Sequence, residues 1–90
     1  MTMAERIVAI VNPLGLHARP AAEFVKLASS YQSEITVQKD GMVVNGKSIM
    51  GVMTLAAECG SKLTIRAEGQ DAEQALVALV ALVENGFSQI

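Results

Sequence analysis

Cysteine occurs once in the 90 residues, at Cys59, so the chain can form neither an internal disulfide nor a cysteine metal cluster. Stability has to come from packing, and Cys59 itself reads as a small buried hydrophobe. Aromatic side chains number three, Phe24, Tyr31 and Phe87, and the formal net charge is −2. That supplies neither a stacking platform nor a basic face for tracking phosphates, which argues against nucleic acid as a partner. One histidine and one distant cysteine fall short of the three or four ligands a resident metal needs, and no cofactor is expected. The longest apolar run, Ala75 to Val83, is nine residues, whereas roughly 20 are needed to span a bilayer as a helix. No direct membrane insertion is expected. Residues 1–6 hold no basic segment leading into an apolar stretch, so a secretory leader is not expected and the reading is cytoplasmic.

What is present is a folding composition, 51% hydrophobic and 18% charged. A chain of this length suits a single domain spanning residues 1–90, because independent cores commonly need ~50–200 residues. Arg6 to Val11 is a β-branched run stopped by Asn12-Pro13 and Gly15, which predicts a first strand. Ala21, Phe24, Val25 and Ala28 then fall at i, i+3, i+4 and i+7, the stripe of a helix running from Ala18 to near Ser29-Ser30. Glu34 to Gln38 alternates, with Ile35 and Val37 on one face, as expected of a strand wet on the other.

Asp40-Gly41 has the composition of a two-residue hairpin turn, and Met42-Val43-Val44 is the returning strand. Ser48 precedes Ile49-Met50-Gly51-Val52-Met53, a short helix that its hydroxyl can cap. Lys62 to Ala67 alternates again and ends at Glu68-Gly69. Asp71 stands three residues before Gln74, the spacing of a capping box, ahead of a helix striped by Leu76, Leu79, Val80 and Val83 and stopped by Asn85-Gly86. The order β-α-β-β-α-β-α, with polar faces on the second and fourth strands, predicts an α+β fold. It is a two-layer open-faced sandwich: a four-stranded antiparallel sheet with three helices on one face.

The only histidine, His17, lies where the first strand gives way to the first helix, in Gly15-Leu16-His17-Ala18-Arg19-Pro20. Pro20 has no N–H and belongs to the first helical turn, where backbone donors lack intrahelical partners. Propensity alone puts Pro20 at the first helical position with Arg19 as the cap, while His17 and Ala18 remain open as caps. Each choice sets an imidazole at the positive end of a helix dipole, beside free N–H groups and a guanidinium able to hold oxygens bidentately. Such a site suits an anion and contains a nucleophile, since a neutral ring nitrogen can attack electrophilic phosphorus. The same residues, taken alone, also fit a polar loop histidine beside a solvated arginine.

Gly15-Leu16-His17-Ala18-Arg19-Pro20-Ala21-Ala22 resembles the phosphorylation motif of the HPr family, the histidine-containing phosphocarriers of the bacterial phosphoenolpyruvate-dependent sugar phosphotransferase system. Asn45-Gly46-Lys47-Ser48-Ile49-Met50-Gly51-Val52-Met53 resembles that family's regulatory serine segment, and the likeness extends over nearly the whole chain. The resemblance implies that His17 accepts a phosphoryl group on Nδ1 from phosphorylated Enzyme I and passes it to IIA domains of sugar permeases, as a monomeric carrier and not an enzyme. It implies that Arg19 and Ala18 hold the phosphoryl oxygens. Ala22, Ile49, Met50 and Met53 would form an apolar docking patch, with Lys26 an adjacent positive contact. Read as plain helix residues, Ile49 and one of the two methionines also fit a core, and Lys26 a solvated charge.

Ser48 is implied as a target of an HPr kinase/phosphorylase, with the phospho-form docking on a transcriptional regulator. Two alternatives stay open: a regulatory binding module, or a paralogue in a nitrogen-related or dihydroxyacetone-kinase phosphorelay. One position departs from the pattern. Many relatives carry a small polar residue three positions before the histidine, where it orients the ring; Leu14 stands there, and Asn12 is the nearest substitute.

Overall fold

In the computed structural model, residues 2–89 are described, Gln89 by its backbone only; Met1, the first residue of the amino-terminal stretch read above, and Ile90 lie outside them. The elements run β1 (Thr2–Ala9), α1 (Ala18–Ser29), β2 (Glu34–Lys39), β3 (Met42–Asn45), α2 (Ile49–Thr54), β4 (Lys62–Gly69) and α3 (Ala72–Glu84). The four strands form one antiparallel sheet in the order β1-β4-β2-β3. Alternation decides which face is which. Ile35 and Val37 of β2 and Leu63, Ile65 and Ala67 of β4 are buried beneath the helices, while Glu34, Gln38, Arg66 and Glu68 face out. Asp40 and Gly41 both take positive φ, 49° and 83°, as a type I′ turn between β2 and β3 demands.

The helices cover one side of the sheet. α3 lies across β1 and β4, and α1 packs against both α2 and α3. Their buried stripes, Phe24, Val25 and Ala28 from α1 and Leu76, Leu79 and Val83 from α3, meet the strands in one core. None of the described helices is long and apolar enough to cross a membrane.

Three boundaries differ from the sequence reading. β1 begins at Thr2 and not at Arg6, and ends at Ala9, because antiparallel pairing with β4 from Thr2↔Gly69 to Ala9↔Lys62 holds a segment with little β-propensity of its own. α1 starts at Ala18 with His17 as its cap, so Pro20 is the third helical residue and not the first. The missing N–H costs nothing there, since the first four donors of a helix have no intrahelical acceptor. Beyond Asn85 the chain makes a last turn, Gly86–Gln89, in which Phe87 and Ser88 are left-handed (φ 53° and 58°) and Phe87 is buried in the core.

Candidate functional site

The loop between β1 and α1 is built on two fastenings. Gly15 N–H donates to Asn12 O at 3.1 Å, and the Asn12 side-chain amide donates back to Gly15 O at 2.8 Å. Leu16 N–H then donates to Ala57 O at 2.8 Å, with the Leu16 side chain buried. Gly15 needs to be glycine twice over: its φ is +70°, and a Cβ would lie 2.3 Å from the same Ala57 carbonyl oxygen. His17 follows, extended at φ −76° and ψ −172°, and its carbonyl accepts the first helical bond from Ala21 N–H at 3.0 Å.

The His17 side chain makes no capping bond. Its ring is half-buried, with Nε2 enclosed and without a hydrogen-bond partner among the described residues, whereas Nδ1 is neither bonded nor enclosed in that way. Ala18 and Arg19 are exposed, and their N–H groups have no helical acceptor behind them. No acidic residue occupies the first turn of α1, and no ion pair engages Arg19 among the described residues. The positive end of the helix and the guanidinium are therefore uncommitted beside the imidazole.

Ser48 caps α2, its Oγ accepting from Gly51 N–H at 3.0 Å. The preceding turn is held by Lys47, whose N–H donates to Asn45 Oδ1 at 2.9 Å and whose ammonium donates to Tyr31 O at 2.7 Å. Val52 is the one buried residue of α2; Ile49, Met50 and Met53 are all exposed, Met50 at 76%. On α1, Ala22 is half-buried and Lys26, one turn further on, is exposed. The packing of α1 against α2 puts these residues in the same helical layer as His17.

Two expectations are corrected. Cys59 is exposed, in the turn before β4, with its thiol 3.7 Å from Val11 O, because the turn that carries it lies outside the core. Asp71 precedes α3 but its side chain does not cap it. The carboxylate accepts instead from Gln32 N–H, Ser33 N–H and Ser33 Oγ–H, at 2.9, 2.9 and 2.5 Å, three donors nearly forty residues away that outbid one helical N–H. The Ser33 hydroxyl, chiefly, holds that carboxyl below the ordinary carboxylate range. Asn12 takes part in the loop's hydrogen bonding, its side-chain amide donating to the Gly15 carbonyl, while Leu14 projects into solvent at 76% exposure.

The comparisons with known proteins agree with one another. The family model for the PTS HPr component phosphorylation site matches residues 4–85. The phosphocarrier protein HPr of Cupriavidus necator is 44% identical over 97% of this chain and 98% of its own, and the HPr-like protein Crh of Halalkalibacterium halodurans is 49% identical over 91% and 98%. The crystal structure of HPr-C-His from Thermoanaerobacter tengcongensis superimposes with a TM-score of 0.93 at 48% identity, covering 97% of this chain and 98% of that one. With the open four-stranded sheet and the histidine at the start of α1, these likenesses place the chain in the HPr family of phosphocarrier proteins of the phosphotransferase system.

Proposed function

We propose that His17 is the acceptor, that its phosphoryl donor is the phosphohistidine of Enzyme I, and that its acceptors are IIA domains of sugar permeases in the cytoplasm. The observation that carries this reading is the state of the His17 ring: enclosed at Nε2, unspent at Nδ1, and flanked by exposed Arg19 and two unclaimed N–H groups. In the neutral ring with its proton on Nε2, Nδ1 supplies the lone pair that forms the new N–P bond. The donor's N–P bond breaks, and its electron pair returns to the donor imidazole. The phosphoryl oxygens then lie against the Ala18 and Arg19 N–H groups and the guanidinium. No proton has to leave either ring, and reversal toward a IIA histidine uses the same parts. Ala22, Lys26, Ile49, Met50 and Met53 form the docking surface around this centre.

Ser48 is the regulatory site in the same reading. Phosphate there adds ≈ −1.5 to −2 charges beside the exposed Ile49, Met50 and Met53, favouring one class of partner and repelling another. Phosphorus NMR after incubation with phosphoenolpyruvate and Enzyme I tests the acceptor. An acid-labile phosphoramidate signal, absent from His17→Ala, is the expected result; continued labelling of His17→Ala refutes it.

A further inference from the structure

A reactive ring that no hydrogen bond holds takes its aim from the backbone under it. In the His17 loop that backbone hangs on one buried polar side chain. Asn12 is 0% exposed, and an amide is withdrawn from water at a net gain only if its bonds are made inside. Its N–H donates to Gly15 O while Gly15 N–H donates to Asn12 O, so residues 12–15 are closed from both ends. Immediately beyond that closure, Gly15 and Leu16 abut the single carbonyl of Ala57, which leaves the chain little room to relax toward the segment joining α2 to β4. His17 is two residues from the Asn12 bond. Leu14, at the position where many relatives place a ring-orienting polar group, has no donor to offer and faces solvent.

We infer that Asn12 is a positioning residue for phosphoryl transfer, acting on His17 through the Gly15 carbonyl. The role rests on the phosphocarrier reading above. In-line transfer needs the attacking nitrogen about 3–3.5 Å from phosphorus along one direction, and a displacement of about 1 Å costs on the order of 100-fold in rate. Removing the Asn12 amide frees Gly15 O and lets the loop slide, leaving the docking residues on α1 and α2 where they are. The effect should therefore fall on turnover and not on binding of the donor.

The test uses Asn12→Leu, which keeps the side chain's branching at Cγ without its hydrogen-bonding groups and without adding charge, and Asn12→Ala, with labelling of the unaltered chain by phosphorylated Enzyme I measured first. Transfer at saturating donor should fall on the order of 10- to 100-fold in both variants, with KM for the donor within about twofold of the original. Nitrogen-15 resonances of the His17 ring should move in the unphosphorylated variants, while backbone amide resonances of the sheet and α3 stay in place. Wild-type turnover in either folded variant overturns the positioning role, as does a slowed transfer with the His17 ring resonances unmoved. If Asn12→Ala does not fold, Asn12→Leu decides by the same readouts. An unaltered chain that takes no phosphoryl group refutes the phosphocarrier reading itself and the role of Asn12 with it.

Discussion

Two helix starts in this small fold are treated in opposite ways. At α1 the capping residue is His17, a poor cap whose side chain makes no bond to the first turn, and the N–H groups of exposed Ala18 and Arg19 have no helical acceptor. At α2 the capping residue is Ser48, whose hydroxyl is already occupied by Gly51 N–H. Phosphate at the first start meets donors that nothing else claims. Phosphate at the second has to replace an existing cap, and it changes the surface of a six-residue helix whose exposed side chains are apolar. Under the proposed function, the helix start whose cap is unmade is the transfer site, and the one whose cap is already made is the regulatory one.

The largest test of that contrast is at Arg19. If the α1 start works by holding phosphoryl oxygens, Arg19→Ala should slow transfer from Enzyme I by ~10²-fold, the usual cost of losing one preorganised donor, with the thermal midpoint unchanged. Unaltered kinetics would mean that the helix terminus alone suffices. A smaller effect belongs to Ser48→Asp. Aspartate is a good cap, so α2 should stay intact, while the added charge beside Ile49, Met50 and Met53 weakens docking to Enzyme I about tenfold, or about 1.4 kcal/mol. Equal affinity by calorimetry would remove the apolar patch from the interface. The two caps also differ in stability: Ser48→Ala should cost ~1 kcal/mol, and His17→Ala distinctly less, because only the serine side chain makes a capping bond.

Much of this architecture was legible in the sequence because periodicity reports which face of an element is buried. Ile35 and Val37, Leu63 and Ile65, and the stripe from Leu76 to Val83 were all readable, as were the Asp40-Gly41 turn and the Ser48 cap. Pro20 confined the start of α1 to a few residues, and the motif around His17 carried the resemblance to the family. What was not legible depends on residues far apart in the chain. The first half of β1 is a strand only because β4 lies beside it. Cys59 has the composition of a core residue but sits on a turn. The Asn12 bond to Gly15 is local, yet nothing in the spacing says that its amide turns inward and Leu14 outward.

Asp71 provides the third helix start and the last test. Its spacing to Gln74 has the form of a capping box, but the carboxylate belongs to a latch between the loop after α1 and the start of α3. Ser33 Oγ–H first, then the Gln32 and Ser33 N–H groups, favour the ionised form and lower its pKa in the folded chain. The stabilisation is therefore fully present above the ordinary carboxylate value, about 3.9, and is lost as the pH falls through the lower folded value. Asp71→Asn turns an amide donor or a weaker acceptor toward the same three donors, so it should lower the thermal midpoint at neutral pH. The gap between variant and parent should close as the unfolding curves are taken into acid. A gap that stays constant with pH would assign the loss to packing and not to the carboxylate. Transfer to His17 at neutral pH should be the same in both, because the latch lies at the opposite end of α1 from the imidazole. A helix start can thus leave its cap unmade for a second reason, to tie two loops together, and the proposed transfer role belongs to the start whose first donors have no helical acceptor and stand beside an imidazole.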